Sequence, residues 1–456
     1  MRFVGRMPTL HRKIIMIDIS PQRRDEIIDA LRRGTVPQNG LDAFAVGLDK
    51  FEATLDEELK KVAAGGSGFK AIRGEYGCGK TFFTRWLCDK ARRNGFVTSE
   101  VQISETETPL HKLETVYRRL NERMASADSS SGALRNIIDS WFYALEEDVL
   151  AEGSIDVNDS DALLAKTNEL LEQRLAAVNN DSPMFSTALR GYRRAQAENN
   201  PAFADGIFAW LAGQPNVAAA AKRFAGVKAD LDHFGAFTFL QGILSVMRDS
   251  GHSGLVVILD EVETIQRVRS DVRDKCLNAL RQWIDEIDSG RFPGLYLVIT
   301  GTPAFFDGPN GLQRLEPLSQ RLHVDFDADS KFDNPRAVQV RLSPFSLDRM
   351  KEVGCKIRDI YGAHAQSTLR ITKLCDDAYI GDLANSVAGH LGGKIGIAPR
   401  IFLKKLVNDV LDKVDLHAEF DPREHYSLTV SEQELTAVER EAVAASNVND
   451  IELDLE

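Results

Sequence analysis

No run of apolar residues in the sequence approaches the ~18 that a membrane-spanning helix needs, so no transmembrane anchor is expected. The cysteines (Cys78, Cys88, Cys276, Cys355 and Cys375) are scattered, odd in number and without a C-x-x-C pair. That excludes a disulfide framework and a cysteine-based zinc site, and it fits a reducing cytoplasm. The N-terminal MRFVGRMPTLHRKIIMIDIS is basic, but its apolar run IIMI is too short for a secretory signal and no small-residue cleavage site follows. A poorly ordered leader, or a start at Met16, is expected instead. Positive charge is not in excess: the formal net charge is −12, which argues against coating of nucleic acid by the whole surface and leaves a local basic face open. No winged-helix or zinc motif is legible, so a sequence-reading DNA module is not expected. What is present is ordinary for a globular chain, with 456 residues, 43% hydrophobic and 27% charged, enough for two or three domains around a large core.

The chain is organised around residues Phe69 to Trp86, FKAIRGEYGCGKTFFTRW. Gly74, four residues, Gly79, Lys80 and Thr81 satisfy G-x-x-x-x-G-K-[ST], the pattern of a phosphate-binding loop. Phe69 to Ile72 reads as a short buried strand, and Phe82 to Leu87 opens a helix that continues through Ala91, so strand and helix flank the motif as its mechanism requires. Gly74, Gly77 and Gly79 let backbone N–H groups converge on phosphate oxygens, reinforced by the positive end of the helix dipole. Gly74, Glu75, Tyr76, Gly77, Cys78, Gly79, Lys80, Thr81 and Phe82 are therefore the expected nucleotide contacts. Lys80 would reach the β and γ phosphates of ATP, and Thr81 would hold Mg²⁺. Cys78 is either a small residue that fits or a thiol whose pKa is lowered by the amides and Lys80 around it.

Before the loop, SPQRRDEIIDALRRG reads as a capped helix, with Ser20 as N-cap and Gly34 as a stop. After it, Phe96 to Ser104 is a second strand and Leu110 to Met124 a helix. From Ala125 to Asp230 the pattern is helical throughout, an insertion of about 100 residues, the size of a small domain. Its aromatics (Trp141, Phe142, Phe203, Phe208, Trp210) are placed to fill a core or to stack on bases.

A second diagnostic stretch follows. Leu255 to Leu259, LVVIL, is a continuous β-branched run typical of a strand buried on both faces, and it ends in Asp260-Glu261. An acid at the carboxyl end of a central strand is where Mg²⁺ is held beside a phosphate loop, so Asp260 is expected to share the metal with Thr81. Glu261 is expected to polarise the attacking water as general base. Glu263, a third acid nearby, is assigned no chemistry. After a helix from Ser270 to Ile287, another buried strand, Leu295 to Ile299, ends in Thr300-Gly301-Thr302-Pro303. Thr300, with Thr302 as second choice, is placed to sense the γ-phosphate or orient water. Arg321 precedes a short strand and is placed to reach a neighbouring subunit's γ-phosphate, with Arg314 and Arg341 as competitors. Val338 to Leu342 supplies a fifth strand, and helices fill Leu347 to His417. Arg400 projects from the first turn of the last of these.

Residues 31 to 417 resemble the P-loop ATPases of BREX phage-defence systems, the BrxD-like ATP-binding proteins of the AAA+/origin-recognition-like group. The phrases that carry the resemblance are LRRGTVPQNGLDAFAVGLDKFEATLDEEL, FKAIRGEYGCGKTFFTRWL, VVILDEVE, LVITGTPAFF and GIAPRIFLKKL. It implies Mg²⁺-dependent ATP hydrolysis in a multi-protein bacterial antiviral system that also uses a helicase and DNA modification. In that group Thr300 corresponds to the first sensor, Arg321 to an arginine finger and Arg400 to the second sensor. The expected fold is α/β, with a central, mainly parallel five-stranded sheet. Residues 1–34 form a leader and helix, 35–345 a P-loop ATPase domain interrupted by the 125–230 insertion, 346–420 a helical lid and 421–456 an acidic tail. The expected function is ATP hydrolysis coupled to a conformational change acting on DNA or a DNA-processing partner, in a homo-oligomer, with a helicase or other defence proteins as partners and no membrane. The alternative is a slow or non-hydrolysing nucleotide switch that recruits partners.

Overall fold

The computed structural model describes residues 19–153, 159–176, 183–228, 230–327, 329–390 and 398–430, together with residue 440. The leader, the Gly396-Ile397 part of the lid phrase and nearly all of the acidic tail lie outside the described residues. The chain divides into two compact units, one of Leu48–Pro344 and one that joins Met1–Gly47 to Phe345–Glu456.

The first unit is built on a mixed sheet of six strands among the described residues. They are β1 (Gly68–Arg73), β2 (Phe96–Gln102), β3 (Met124–Ala125), β4 (Gly254–Asp260), β5 (Leu295–Gly301) and β6 (Gln339–Arg341), in spatial order β3-β2-β4-β5-β1-β6. Five of them run parallel, and β3 pairs antiparallel with β2 through Thr98↔Ala125 and Ser99↔Met124. The expected five strands thus become six. β3 is two residues long, too short to leave a sequence pattern, and it closes an edge immediately after the helix Leu113–Glu122. Every residue of β4 and β5 is buried, as their uninterrupted apolar runs require of strands covered on both faces.

A helical run separates β3 from β4: Ala133–Ala151, Ser160–Arg174, Pro183–Ala197, Pro201–Leu211, Ala219–Ala225 and His233–Asp249. It extends well past Asp230, where sequence alone ended it. The last helix is apolar on most of its surface, with Phe237, Phe239, Leu240, Ile243, Leu244, Val246 and Met247 all buried, so it shows no amphipathic stripe. The insertion aromatics are core residues. Trp141, Phe142 and Trp210 are buried, Phe203 packs on Phe224 with ring centres 4.7 Å apart, and Phe208 packs on Tyr192 at 6.0 Å. They share one apolar cluster with the inner residues of β4 and β5.

The second unit is helical. The helix Pro21–Arg32 is capped by Ser20, whose side chain accepts from the Arg23 N–H. It packs with Leu347–Gly362 and Ala398–Lys405, which both pack on Asp377–His390, and Ile27, Ile28, Met350, Ile357 and Phe402 are buried there. Arg32 forks onto both oxygens of Asp412, at 2.8 Å each, and Tyr361 donates to the same carboxylate at 2.8 Å. The last of the helices expected between Leu347 and His417 is interrupted by a π-helical stretch, Leu406–Leu411. Among the described residues no helix is long and apolar enough to cross a membrane.

Candidate functional site

The site lies at the carboxyl ends of β1, β4 and β5, the end at which open parallel sheets bind their ligands. β1 ends at Arg73, and the Gly74 N–H still donates to Gly301 O at 3.1 Å. From there the loop turns tightly, with Gly77 at φ 77° and Gly79 at φ 97°, conformations that other residues rarely adopt. Gly74 is required for a different reason: a Cβ there would run into the Cys78 sulfur. The helix Lys80–Arg93 then starts with its first-turn N–H groups facing the loop.

Each loop side chain has a defined place. Glu75 and Gly77 are exposed, Tyr76 and Phe82 half-buried, and Cys78 buried. Lys80 is curled back over the loop, donating from Nζ to Gly74 O at 2.9 Å and to Glu75 O at 3.4 Å. The Tyr76 ring lies 4.9 Å beneath its ammonium. Burial raises the Cys78 thiol above its ordinary pKa, and Lys80 only partly offsets this. Of the two readings of Cys78, this favours the small residue that fits, because desolvation outweighs one nearby cation.

The register of the sheet brings the acids to the loop. Thr81 Oγ1 donates to Asp260 Oδ2 at 3.5 Å, at the long end of the hydrogen-bond range. Thr300 Oγ1 donates to Asp260 Oδ1, and it also accepts the Glu261 N–H at 3.0 Å. Asp260 Oδ1 accepts the same N–H at 3.1 Å. Thr300 is fully buried, as is Thr302 nearly so. Glu261 adopts φ 58°, and it is the one non-glycine, non-asparagine residue with positive φ among the described residues. Such a conformation costs on the order of 1 kcal/mol or more and persists where surrounding bonds enforce it. Here Thr300 and Asp260 enforce it from the backbone, and Gln102 from the side chain, donating to Glu261 Oε2 at 2.7 Å. Gln102 is in register with Asp260 across the β2–β4 ladder.

Two further residues belong to the cluster. Glu263 is 4% exposed and lies 3.8 Å from Lys80 Nζ. Burial, followed by the charges of Glu261 and Asp260, pushes its carboxyl up to about 6 against the pull of Lys80. Arg267 faces the Tyr76 hydroxyl and opposes the upward shift that burial and Glu263 impose on that phenol. Glu263 was visible in the sequence as a third acid, but its burial was not. Gln102 carried no sequence signal at all.

Arg321 is placed apart from this cluster within the same unit, and Arg400 lies in the other unit. Arg321 sits on a helix, Glu316–Leu322, rather than directly ahead of a strand, since Pro317 starts a helical turn and His323 to Asp327 form no strand. It pairs with Asp285 in the last turn of Ser270–Asp288. That turn lies by the amino ends of the strands, where Ser67 donates to Ile287 O at 2.9 Å. The competitors are engaged too: Arg314 with Asp274 and Arg341 with Asp333. Arg400 belongs to the other unit, where a Cβ on Gly34 would stand 3.4 Å from its guanidinium.

Residues 19–430 match the family described as BREX system ATP-binding protein BrxC/D. The chain belongs to this family. The BrxC/D match runs through every residue of the cluster, from Gly74 to Thr300, and through most of both units. No curated protein matches the chain.

Proposed function

We propose that the chain is a Mg²⁺-dependent ATPase with a P-loop fold. The observation that carries this reading is the meeting of Lys80 and Thr81 with Asp260, Glu261 and Thr300 at one end of a parallel sheet. The first-turn amides of Lys80–Arg93 and the Lys80 ammonium suit a triphosphate. Thr81 and Asp260 offer a hydroxyl and a carboxylate oxygen 3.5 Å apart, a hard and sparse donor pair of the kind that suits Mg²⁺, which keeps several waters and takes the rest of its ligands from phosphate. Bound there, the metal would neutralise developing phosphate charge. Glu261 would accept the proton of the attacking water, with Thr300 fixing the backbone that carries it. Arg321 would act on a neighbouring copy, and Arg400 would report on nucleotide from the helical unit.

The expected result with Glu261→Gln is retained Mg²⁺-ATP binding with phosphate release slowed by at least about 100-fold. Parental turnover in that variant would remove the base assignment. Membership of a BREX family supports action within a defence complex, on DNA or on a DNA-processing partner. Sedimentation with and without ATP and duplex DNA reads assembly and DNA binding together, and no ATP-dependent change in either would count against both. A second reading, a slowly turning switch that recruits partners, is favoured by the Gln102 bond that occupies Glu261.

A further inference from the structure

We propose that Glu263 sets the affinity of the Lys80 pocket for the terminal phosphate of a nucleoside triphosphate, competing for the lysine so that the bound triphosphate stays exchangeable. The inference rests on the nucleotide-site reading above.

Both carboxylate oxygens of Glu263 are shielded from solvent, and neither has a hydrogen-bond partner beyond the residue's own N–H. Its nearest opposite charge, Lys80 Nζ, is 3.8 Å away, beyond hydrogen-bond reach. Lys80 does not depend on it, since Gly74 O and Glu75 O already accept from the ammonium. The groups facing Glu263 are Lys80 from the loop helix, the Tyr76 phenol from the loop, and two further acids, Glu261 and Asp260, from its own strand end. A buried carboxylate with one distant cation and two anions for company is a poor structural choice, and a glutamine or an apolar residue of that size would serve the fold better.

The chemistry then has a definite direction. A triphosphate approaching Lys80 must share that cation with a carboxylate of its own sign, in a buried setting where screening by salt is weak. Affinity is lowered most for the ligand that brings charge closest to Lys80, the triphosphate, and less for the diphosphate. Glu263 therefore acts through Lys80 as a positioning residue, and its removal tightens binding and slows release.

The test is stopped-flow dissociation and equilibrium titration of fluorescent ATP and ADP analogues with Mg²⁺, on the full chain and on Glu263→Gln, Glu263→Asp and Lys80→Ala. Glu263→Gln should release the triphosphate about tenfold more slowly, a change worth about 1.4 kcal/mol. The diphosphate should shift much less, and Glu263→Asp, which keeps the charge, should stay near the parent. Glu263→Ala carries the same expectation should the glutamine variant fold poorly. A structural disturbance would move both nucleotides alike, so an unchanged ATP-to-ADP ratio, or faster ATP release from the glutamine variant, overturns the proposal. If Lys80→Ala binds as the parent does, the nucleotide-site reading fails and this inference with it. If only the Glu263 variants behave as the parent, the site stands and the inference alone is lost.

Discussion

Glu261 and Glu263 are two residues apart and live in opposite environments. Glu261 is half-exposed and bonded to Gln102, while Glu263 is buried without a hydrogen-bonding neighbour. The second has a consequence for stability that needs no nucleotide to observe. Burial raises the Glu263 carboxyl from 4.5 to about 6, so the folded chain holds a proton that the unfolded chain releases across that window. A folded-state pKa above the unfolded one means that this group's contribution to stability falls as pH rises between those values. Glutamine carries no such penalty. Glu263→Gln should therefore be more stable than the parent by about 2 kcal/mol at pH 7.5 and no more stable at pH 4.5, measured by denaturant unfolding at both. A parent that is the more stable of the two at pH 7.5 would mean that Lys80 compensates the charge fully. Neither environment could be read from DEVE as text, because burial and cross-strand register are properties of the assembled sheet.

At the scale of elements, what was legible follows from signal strength. β4 and β5 are long β-branched runs covered on both faces, and the Gly74–Thr81 motif has its own spacing rule, so the two strands, and the strand and helix that flank the motif, stand where the sequence puts them. β3 has two residues, and the helix His233–Asp249 has too little polar surface to show a period. A short strand is expected directly after Arg321, yet Pro317 commits the residues before it to a helix and His323 to Asp327 form no strand. Within the loop, packing of Cys78 against Gly74 is a contact no spacing rule encodes. Gly74→Ala should cost about 1–3 kcal/mol in stability and abolish nucleotide binding, because the added carbon meets a buried sulfur. Gly74→Ala combined with Cys78→Ala should recover much of both, as read by thermal unfolding and ATP titration. Equal losses in single and double variants would place the cause elsewhere in the loop.

For the whole molecule, membership of a BREX ATP-binding family and a cluster of polar residues at one end of one sheet stand side by side. The sheet unit carries the entire cluster, and the helical unit joins residues from both ends of the sequence, with Arg32 gripping Asp412. At −12 overall, the molecule has no general attraction for polyanions, so an anionic ligand needs a local construction, and Lys80 with the first-turn amides behind it offers one. The most direct measurement is calorimetric titration of Mg²⁺-ATP into the full chain and into Lys80→Ala, with folding of both verified beforehand. Saturable binding near one ATP per chain is expected for the parent and none measurable for Lys80→Ala, and equal binding by the two proteins would contradict a nucleotide site at Lys80.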